Sequence, residues 1–458
     1  MEDAFRSLPS VDSLLADNRL AEQAGGISRD ILVDMVRREI AAQRAVVTAG
    51  RQPGNADTMV ANIAANTRAL TEIGLGPVIN ATGIIIHTNL GRAPLSPEAI
   101  SAMDAASRAY TPLEFNLVTG ARGSRHDHLE DILCQLSGAE AAMVVNNNAS
   151  AVMLGLAAIA RRKEVIVSRG QAVEIGGSFR IPDVMRQSGT KLVEVGTTNC
   201  TYATDYENAI TPRTAAIMLI HSSNFKIVGF THEVTAEEFA KTSKKHGLPV
   251  LDDLGSGCFL NTVDYGLAPE PMVQNSPGIS GGLVFFSGDK LVGGPQAGII
   301  LGQKQYIDKL KKHPLARAVR IDKTRLAGLG ATLTHYIRGE ATSKIPVWRM
   351  ISARPEDIKA RADRFVAVLG VTASVISGES MVGGGSLPGA TLPTYLVAIS
   401  SKAGSGSNQA GKLAKKLRLI PRTVIGRVDG DVLLIDPRTV LPEEDSALMQ
   451  ALGAVVSK

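Results

Sequence analysis

This sequence predicts an α/β protein built on a parallel, doubly wound sheet, and three observations carry that prediction. From Pro77 onward, short β-branched runs alternate with Ala-rich helical stretches, the pattern that strand–helix–strand units produce. The runs are followed by polar or glycine-containing turns, where ligands of such sheets collect. Glycine is abundant (45 residues) while phenylalanine (10), tyrosine (7) and tryptophan (1) are sparse, a balance that suits a loop-rich enzyme. At 458 residues the chain has the length of about three domains.

In chain order, residues 1–75 read as a helical module distinct from the rest of the chain. Ser28 is a plausible N-cap for a helix whose apolar positions Ile31, Leu32, Met35, Val36 and Ile40 recur at helical spacing, and Gly50 with Pro53 would end it. A second helix is predicted from Asp57 to Leu70. The module holds ten acids and eight bases, so its charge alone does not advertise nucleic-acid binding. Residues 76–340 form the large α/β domain, with strands predicted at Met143–Val145, Val165–Val167, Leu192–Val195, Ile217–Ile220 and Pro249–Leu251. The apolar run Leu283–Phe286 reads as a further buried strand. The turns NNNAS (146–150), DDLGSG (252–257) and SGDK (287–290) fall at strand carboxyl ends. A basic helical connector leads to a smaller C-terminal α/β domain, residues 341–458, interrupted by the glycine-rich GGGSLPGA (383–390).

Several classes are excluded. No apolar run approaches the roughly 20 residues needed to cross a bilayer, and MEDAFRSLPS carries early acids and no apolar signal core, which argues against secretion. Cys134, Cys200 and Cys258 lie far apart with no CxxC pair, which predicts a reducing cytoplasm and no zinc or other metal site. No GxGxxG follows a strand in the first half of the core, so a dinucleotide-binding reading fails. The net charge is +5, but residues 304–325 hold eight Lys or Arg and residues 401–427 hold seven with no acid. Such blocks suit a polyanionic partner, and they suit a solvated surface as well.

The chemistry centres on SGDKLVGGPQAG (287–298). Lys290 follows a buried strand and precedes a glycine turn, so it is predicted to lie half-buried at a strand end, where burial lowers an ammonium pKa and frees the amine for Schiff-base chemistry. Gly293, Gly294 and Gly298 would let the backbone approach a ligand, and Ser287 could bind a phosphate. These features meet the requirements of pyridoxal phosphate: an amine, an acid for the pyridine nitrogen and a phosphate cradle. Asp253 is the candidate acid, with Asp252 as the alternative. Asn148, Ala149 and Ser150 begin an Ala-rich stretch whose helix N-terminus could hold the phosphate; a capping role explains Ser150 equally well.

The residues resemble a known family closely. VINATGIIIHTNLGRAPLS (78–96), TGARGSR (119–125), VVNNNASAVML (144–154), RGQAVEIGGSFRIPDVM (169–185), HSSNFKIVGFT (221–231), DDLGSG, SGDKLVGGPQAGII and HPLARAVRIDK (313–323) are similar to bacterial selenocysteine synthase, the L-seryl-tRNA(Sec) selenium transferase family. The likeness runs from LPSVDSLL (8–15) to RTVLPEED (438–445). Ser150 stands where the family usually shows alanine, and His126 where an aromatic is expected.

The resemblance implies a fold-type-I pyridoxal phosphate transferase that converts L-seryl-tRNA(Sec) to L-selenocysteinyl-tRNA(Sec) with selenophosphate, through an aminoacrylyl intermediate. It implies that Lys290 carries the cofactor with Asp289 as the acid beside it, and that Arg92, Arg317 and Arg320 hold the selenophosphate. Forked guanidinium groups suit a tetrahedral oxyanion. It further implies that residues 1–75 recognise the tRNA and that the chain forms a large homo-oligomer with active sites between subunits. Two rivals remain. One is a related pyridoxal phosphate enzyme acting on a small amino acid or amino sugar phosphate, which has no obvious need of the helical module. The other is a noncatalytic tRNA-binding protein, against which the intact Lys290 and Asp253 argue.

Overall fold

The computed structural model describes residues 5–23, 26–71, 74–174, 179–370, 373–400 and 409–456. The chain divides into two compact units, Met1–Pro77 and Val78–Lys458.

The described part of the first unit is helical: Val11–Leu15, Asn18–Gln23, Arg29–Thr48 and Ala56–Thr71. Ser28 stands at the N-cap of the third helix, and Gly50 takes a left-handed φ of 74° just past its end. Val36 and Ile40 pack with Met59, Val60 and Ile63 of the fourth helix and with Leu14 and Leu20 of the first two. The i, i+4 spacing that predicted the third helix is thus the stripe that builds this small core. Glu39, buried on the same face, accepts from Gln43 and Asn62 at 2.9 Å each.

The second unit contains two sheets. The larger is formed by β2 (Ala141–Val145), β3 (Glu164–Ser168), β4 (Lys191–Val195), β5 (Thr214–Ile220), β6 (Val250–Gly255), β7 (Gly282–Ser287) and β8 (Gly298–Gly302), in the spatial order β2-β8-β7-β6-β5-β3-β4. It is mixed rather than wholly parallel: β8 runs antiparallel to both of its neighbours. The reason lies in the connection, since the loop between β7 and β8 contains no crossover helix and can only return the chain antiparallel. Both faces are covered. Helix Asn148–Ala160 packs on Met218, Leu251 and Phe285, and helices Asp127–Ser137 and Lys323–Ile337 pack on Val284, Phe286 and Ile299. This double burial explains why the strands read as continuous apolar runs.

The second sheet has the order β1-β11-β12-β10-β9, with β1 (Ile79–Ala81), β9 (Ala373–Met381), β10 (Thr391–Ser400), β11 (Val424–Asp429) and β12 (Val432–Ile435). β1 pairs in parallel with β11, so residues 79–81, placed with the large domain on sequence grounds, belong to the smaller sheet. Of the basic stretch 401–427, residues 401–408 lie outside the described residues; helix Gln409–Leu419 carries much of the remainder. Among the described residues no helix is long and apolar enough to cross a membrane, and no three His, Cys, Asp or Glu side chains gather as metal ligands.

Candidate active site

Lys290 lies in the turn after β7 and is only 6% exposed. Its Nζ donates to the Gly385 carbonyl at 3.2 Å. Burial lowers its pKa, and the charge of Arg92 acts the same way, against the opposing pull of Asp253 and Asp289. The turn is held from outside the site: Trp348 Nε1 donates to the Leu291 carbonyl at 2.8 Å, and the Tyr336 hydroxyl meets the carbonyls of Leu291 and Val292 at 3.0 Å. Of the glycines expected to admit a ligand, Gly293 instead admits protein, because a Cβ there would stand 2.2 Å from Ile345 Cγ2.

Asp252 and Asp253 end up on opposite faces of β6, as alternation along a strand requires. Asp253 faces helix Asn148–Ala160, where Asn148 Nδ2 donates to its Oδ1 at 2.8 Å. Burial raises the Asp253 pKa, while Asn148 and then the Lys290 charge pull it back down. Asp252 faces the other way and is hydrogen-bonded by Ser276; burial, helped by the charge of Asp253, lifts its pKa to about 7. Asp253 is therefore the carboxylate that shares a face with Asn148, and its pKa is coupled to the charge of Lys290.

The N-terminus of helix Asn148–Ala160 is capped by Asn147, whose side chain accepts from the Ser150 backbone N–H at 2.9 Å. Ser150 is thus inside the first turn, its hydroxyl bonded to Asn146 and to the Asn147 carbonyl. Ser287, at the end of β7, pairs with Gly298 of β8. A Cβ on Gly298 would lie 2.1 Å from the Asn147 carbonyl oxygen, so only glycine lets β8 close on the helix start. The end of β7 is thereby set beside the helix start, where Asn148 and the first helical N–H groups offer a cradle for an anion. Asn148 Oδ1 is buried without a partner. An amine, a carboxylate and this cradle in one place fit pyridoxal phosphate.

The three arginines divide between two cavities. Arg92, at a positive φ of 67°, pairs with Asp289 at 2.8 Å and lines a cavity of about 440 Å³ with Lys290, Ser223, Asn224 and the loop 383–390. Arg317 and Arg320 line another, of about 260 Å³, with Arg122, Arg125, Lys311 and His126. There Arg125 is engaged with Glu114 at 2.6 Å and Lys311 with Glu130 at 2.9 Å. Arg317 and Arg320 form no ion pair among the described residues and remain free for an anion. Burial lowers the His126 pKa to about 4, aided by Lys311 and Arg125, so this ring is neutral at physiological pH. Within one chain the three guanidinium groups do not line a common cavity.

Ser223 and Asn224 are site residues that the sequence reading does not single out. A signal for them exists: HSSNF follows β5 directly, as SGDK closes β7, whereas DDLGSG, expected as a turn, has its first four residues inside β6 because the buried carboxylates find partners there. The segment 383–390 looks in sequence like an interruption of the smaller domain. It is a wall of the lysine cavity, with Gly383, Gly384 and Gly385 at φ of 75°, 60° and 79°, a run of left-handed residues only glycine tolerates. A larger cavity of about 670 Å³ adjoins it, sharing Leu387, Pro388 and Ala390 and lined also by His221, Asp252 and Glu270.

Comparison with known proteins finds relatives over nearly the whole chain. Residues 78–441 match the family described as L-seryl-tRNA selenium transferase, and residues 5–44 match that described as selenocysteine synthase N terminal. The L-seryl-tRNA(Sec) selenium transferase of Carboxydothermus hydrogenoformans is 46% identical over 97% of this chain and 96% of its own. That of Geobacter sulfurreducens is 45% identical over 99% of both. Among solved structures, D-glucosaminate-6-phosphate ammonia-lyase superposes with a TM-score of 0.58 at 20% identity, covering 84% of this chain and 96% of its own, a likeness of fold.

Proposed function

Because the chain belongs to the L-seryl-tRNA selenium transferase family, we infer that it converts L-seryl-tRNA(Sec) to L-selenocysteinyl-tRNA(Sec) with pyridoxal phosphate as cofactor and selenophosphate as selenium donor. The observation that carries this reading is the buried Lys290 amine set beside the Asn148–Asp253 pair at the carboxyl edge of the sheet.

Pyridoxal phosphate, when bound, supplies an electron sink for removal of the serine Cα proton. Lys290 would hold the cofactor's aldehyde carbon, and its depressed pKa suits it to take that proton once displaced by the substrate amine. Asp253 would face the pyridine nitrogen and keep it protonated, while Asn148 orients the carboxylate. The first-turn N–H groups of Asn148 and Ala149, with Ser287, would hold the phosphate, while Ser150, its amide and hydroxyl engaged with Asn146 and Asn147, would brace the turn.

Arg92, steadied by Asp289, would take the donor's oxyanion on the lysine side. The unpaired Arg317 and Arg320 would meet the same oxyanion only if a second subunit brings them to it, as expected of a homo-oligomer with active sites between subunits. The helical module 1–75 would recognise the tRNA, ahead of a large domain 76–340 and a small domain 341–458. The reaction belongs to the cytoplasm, where seryl-tRNA is made.

The deciding experiment incubates the purified protein with seryl-tRNA(Sec) and selenophosphate, then identifies the aminoacyl group released from the tRNA. Selenocysteine is expected. Unchanged serine, with pyridoxal phosphate bound, would reject the assignment.

A further inference from the structure

The cavity of about 670 Å³ contributes no residue to the transfer chemistry described above. It lies on the face of β6 opposite helix Asn148–Ala160, and Asp252 and Glu270 line it. Both side chains are buried, and Asp252 Oδ1 and Glu270 Oε1 have no hydrogen-bond partner. Buried acceptors in that state demand donors. His221 Nε2 stands 3.5 Å from Glu270 Oε2 and leaves Oε1 free. The mouth is formed by the segment after Asn224, where Phe225 and Lys226 line the cavity. On the same loop Val228 (89%) and Phe230 (85%) stand in solvent, two apolar side chains left uncovered close to the cavity's Phe225 and Ile227.

We propose that this cavity receives the single-stranded 3′ end of the acylated tRNA, its buried carboxylates accepting from the exocyclic amino groups of the terminal bases and its mouth loop offering Phe225 and Phe230 for stacking. The proposal deepens the transferase reading and rests on it. Every aminoacyl-tRNA ends in an unpaired CCA, and cytosine and adenine each carry an exocyclic amine, the donor that a carboxylate reads best. Unpaired bases are recognised by stacking on aromatic side chains and by hydrogen bonds to their edges.

Position agrees with chemistry. Residues 223 and 224 line the lysine cavity and 225–227 line this one, while Leu387, Pro388 and Ala390 belong to both. A base seated here would lie next to the place where its esterified serine must react. Lys226 at the mouth meets the phosphates. Three carboxylates, Glu233, Asp252 and Glu270, would otherwise repel an RNA strand. Burial, with the charge of Asp253, raises Asp252 to about 7, and although burial works against it, the His221 pKa is raised by Glu270. Both effects reduce the negative charge.

The test measures fluorescence anisotropy of full-length protein loaded with pyridoxal phosphate, using two short labelled RNA oligonucleotides identical except that one ends in CCA and the other in UUU. Uracil offers no exocyclic amine. The CCA end should bind about tenfold more tightly. Glu270→Leu should erase that preference, and Phe230→Ala, a change to an exposed side chain, should weaken both ligands about fivefold. Equal affinity for the two ends overturns the proposal. So does a Phe230→Ala protein that binds both oligonucleotides like the parent while its assembly mass changes, which would make the cavity a contact between subunits. Selenium transfer is assayed separately: a protein that prefers CCA yet transfers no selenium supports the cavity assignment and rejects the reaction.

Discussion

Arg92 Nη1 meets Asp289 Oδ2 at 2.8 Å, tying the loop after β1 to the residue beside Lys290. Asp289 Oδ1 is buried without a partner, so the pair has spare acceptor capacity inside and spare guanidinium donors facing the cavity. Arg92→Ala should therefore do two things: strip one contact from the selenium donor and leave Asp289 as an uncompensated buried charge. A lost charge-assisted contact costs roughly 1.5 to 3 kcal/mol, about one to two powers of ten in kcat/KM for selenophosphate. Cofactor absorbance should be retained. Steady-state kinetics with the donor varied checks this, and parent values of both kcat and KM would refute it.

Lys290→Ala should abolish turnover and the absorbance band of the lysine-bound cofactor, because Lys290 is the amine whose charge acts on Asp253. The circular dichroism spectrum should be unchanged, since Trp348 and Tyr336 hold the turn through backbone carbonyls that the substitution leaves in place. Retained absorbance and turnover would remove Lys290 from the centre of the site.

Gly298→Ala should weaken cofactor binding without touching any cofactor ligand. Its Cβ would be forced to within 2.1 Å of the Asn147 carbonyl, and neither strand nor helix start has a flexible side chain that can yield. Overpacking of this kind costs about 1 to 3 kcal/mol in stability. Chemical denaturation together with a cofactor titration checks both effects; a variant equal to the parent in each would show that the cradle tolerates the shift.

Asp252 gives a pH signature. Its pKa is about 7 when folded against 3.8 as the ordinary value, so the native state holds more protons than the unfolded state between those limits. Stability contributed by this group is thus lost as pH rises from about 4 to 7. Asp252→Asn should be progressively more stable relative to the parent over that window. Thermal midpoints of the two proteins at several pH values provide the measurement, and a pH-independent difference would contradict the shift.

Removal of residues 1–77 should leave a folded unit that binds pyridoxal phosphate but no longer prefers the selenocysteine tRNA over ordinary serine tRNAs. The serine end is chemically identical in all of them, so preference has to come from contacts made elsewhere on the tRNA. Gel-shift titrations of both proteins against both tRNAs at one salt concentration decide it; an undiminished preference would assign recognition to the remaining chain.

Much of this architecture is legible in the sequence because period and burial coincide. Val165–Val167 and Ile217–Ile220 read as strands because both faces of the sheet are covered, and Leu32 to Ile40 read as a helix because one face packs on Met59, Val60 and Ile63, while Ile31, counted in the same stripe, stands half exposed. The reversal of β8 is not legible, since direction depends on what the connection lacks rather than on the strand itself. Asn147 displaces Ser150 as the helix cap because adjacent asparagines offer equivalent starts. The division of Arg92 from Arg317 and Arg320 is invisible because cavity membership is set by tertiary packing. The wall role of Gly383–Gly385 is hidden because glycine runs mark loops without saying what they face.

The pairing of Ile79 with Val424 sets an order on the birth of the molecule. A ribosome releases β1 long before it has made its partner, so the smaller sheet is the last to close, and until then the strand offers an unpaired edge next to a nearly complete larger domain. Such distant pairing slows folding and lengthens exposure to aggregation. A chain that stops before residue 424 therefore leaves β1 without its parallel partner and exposes its hydrogen-bonding edge.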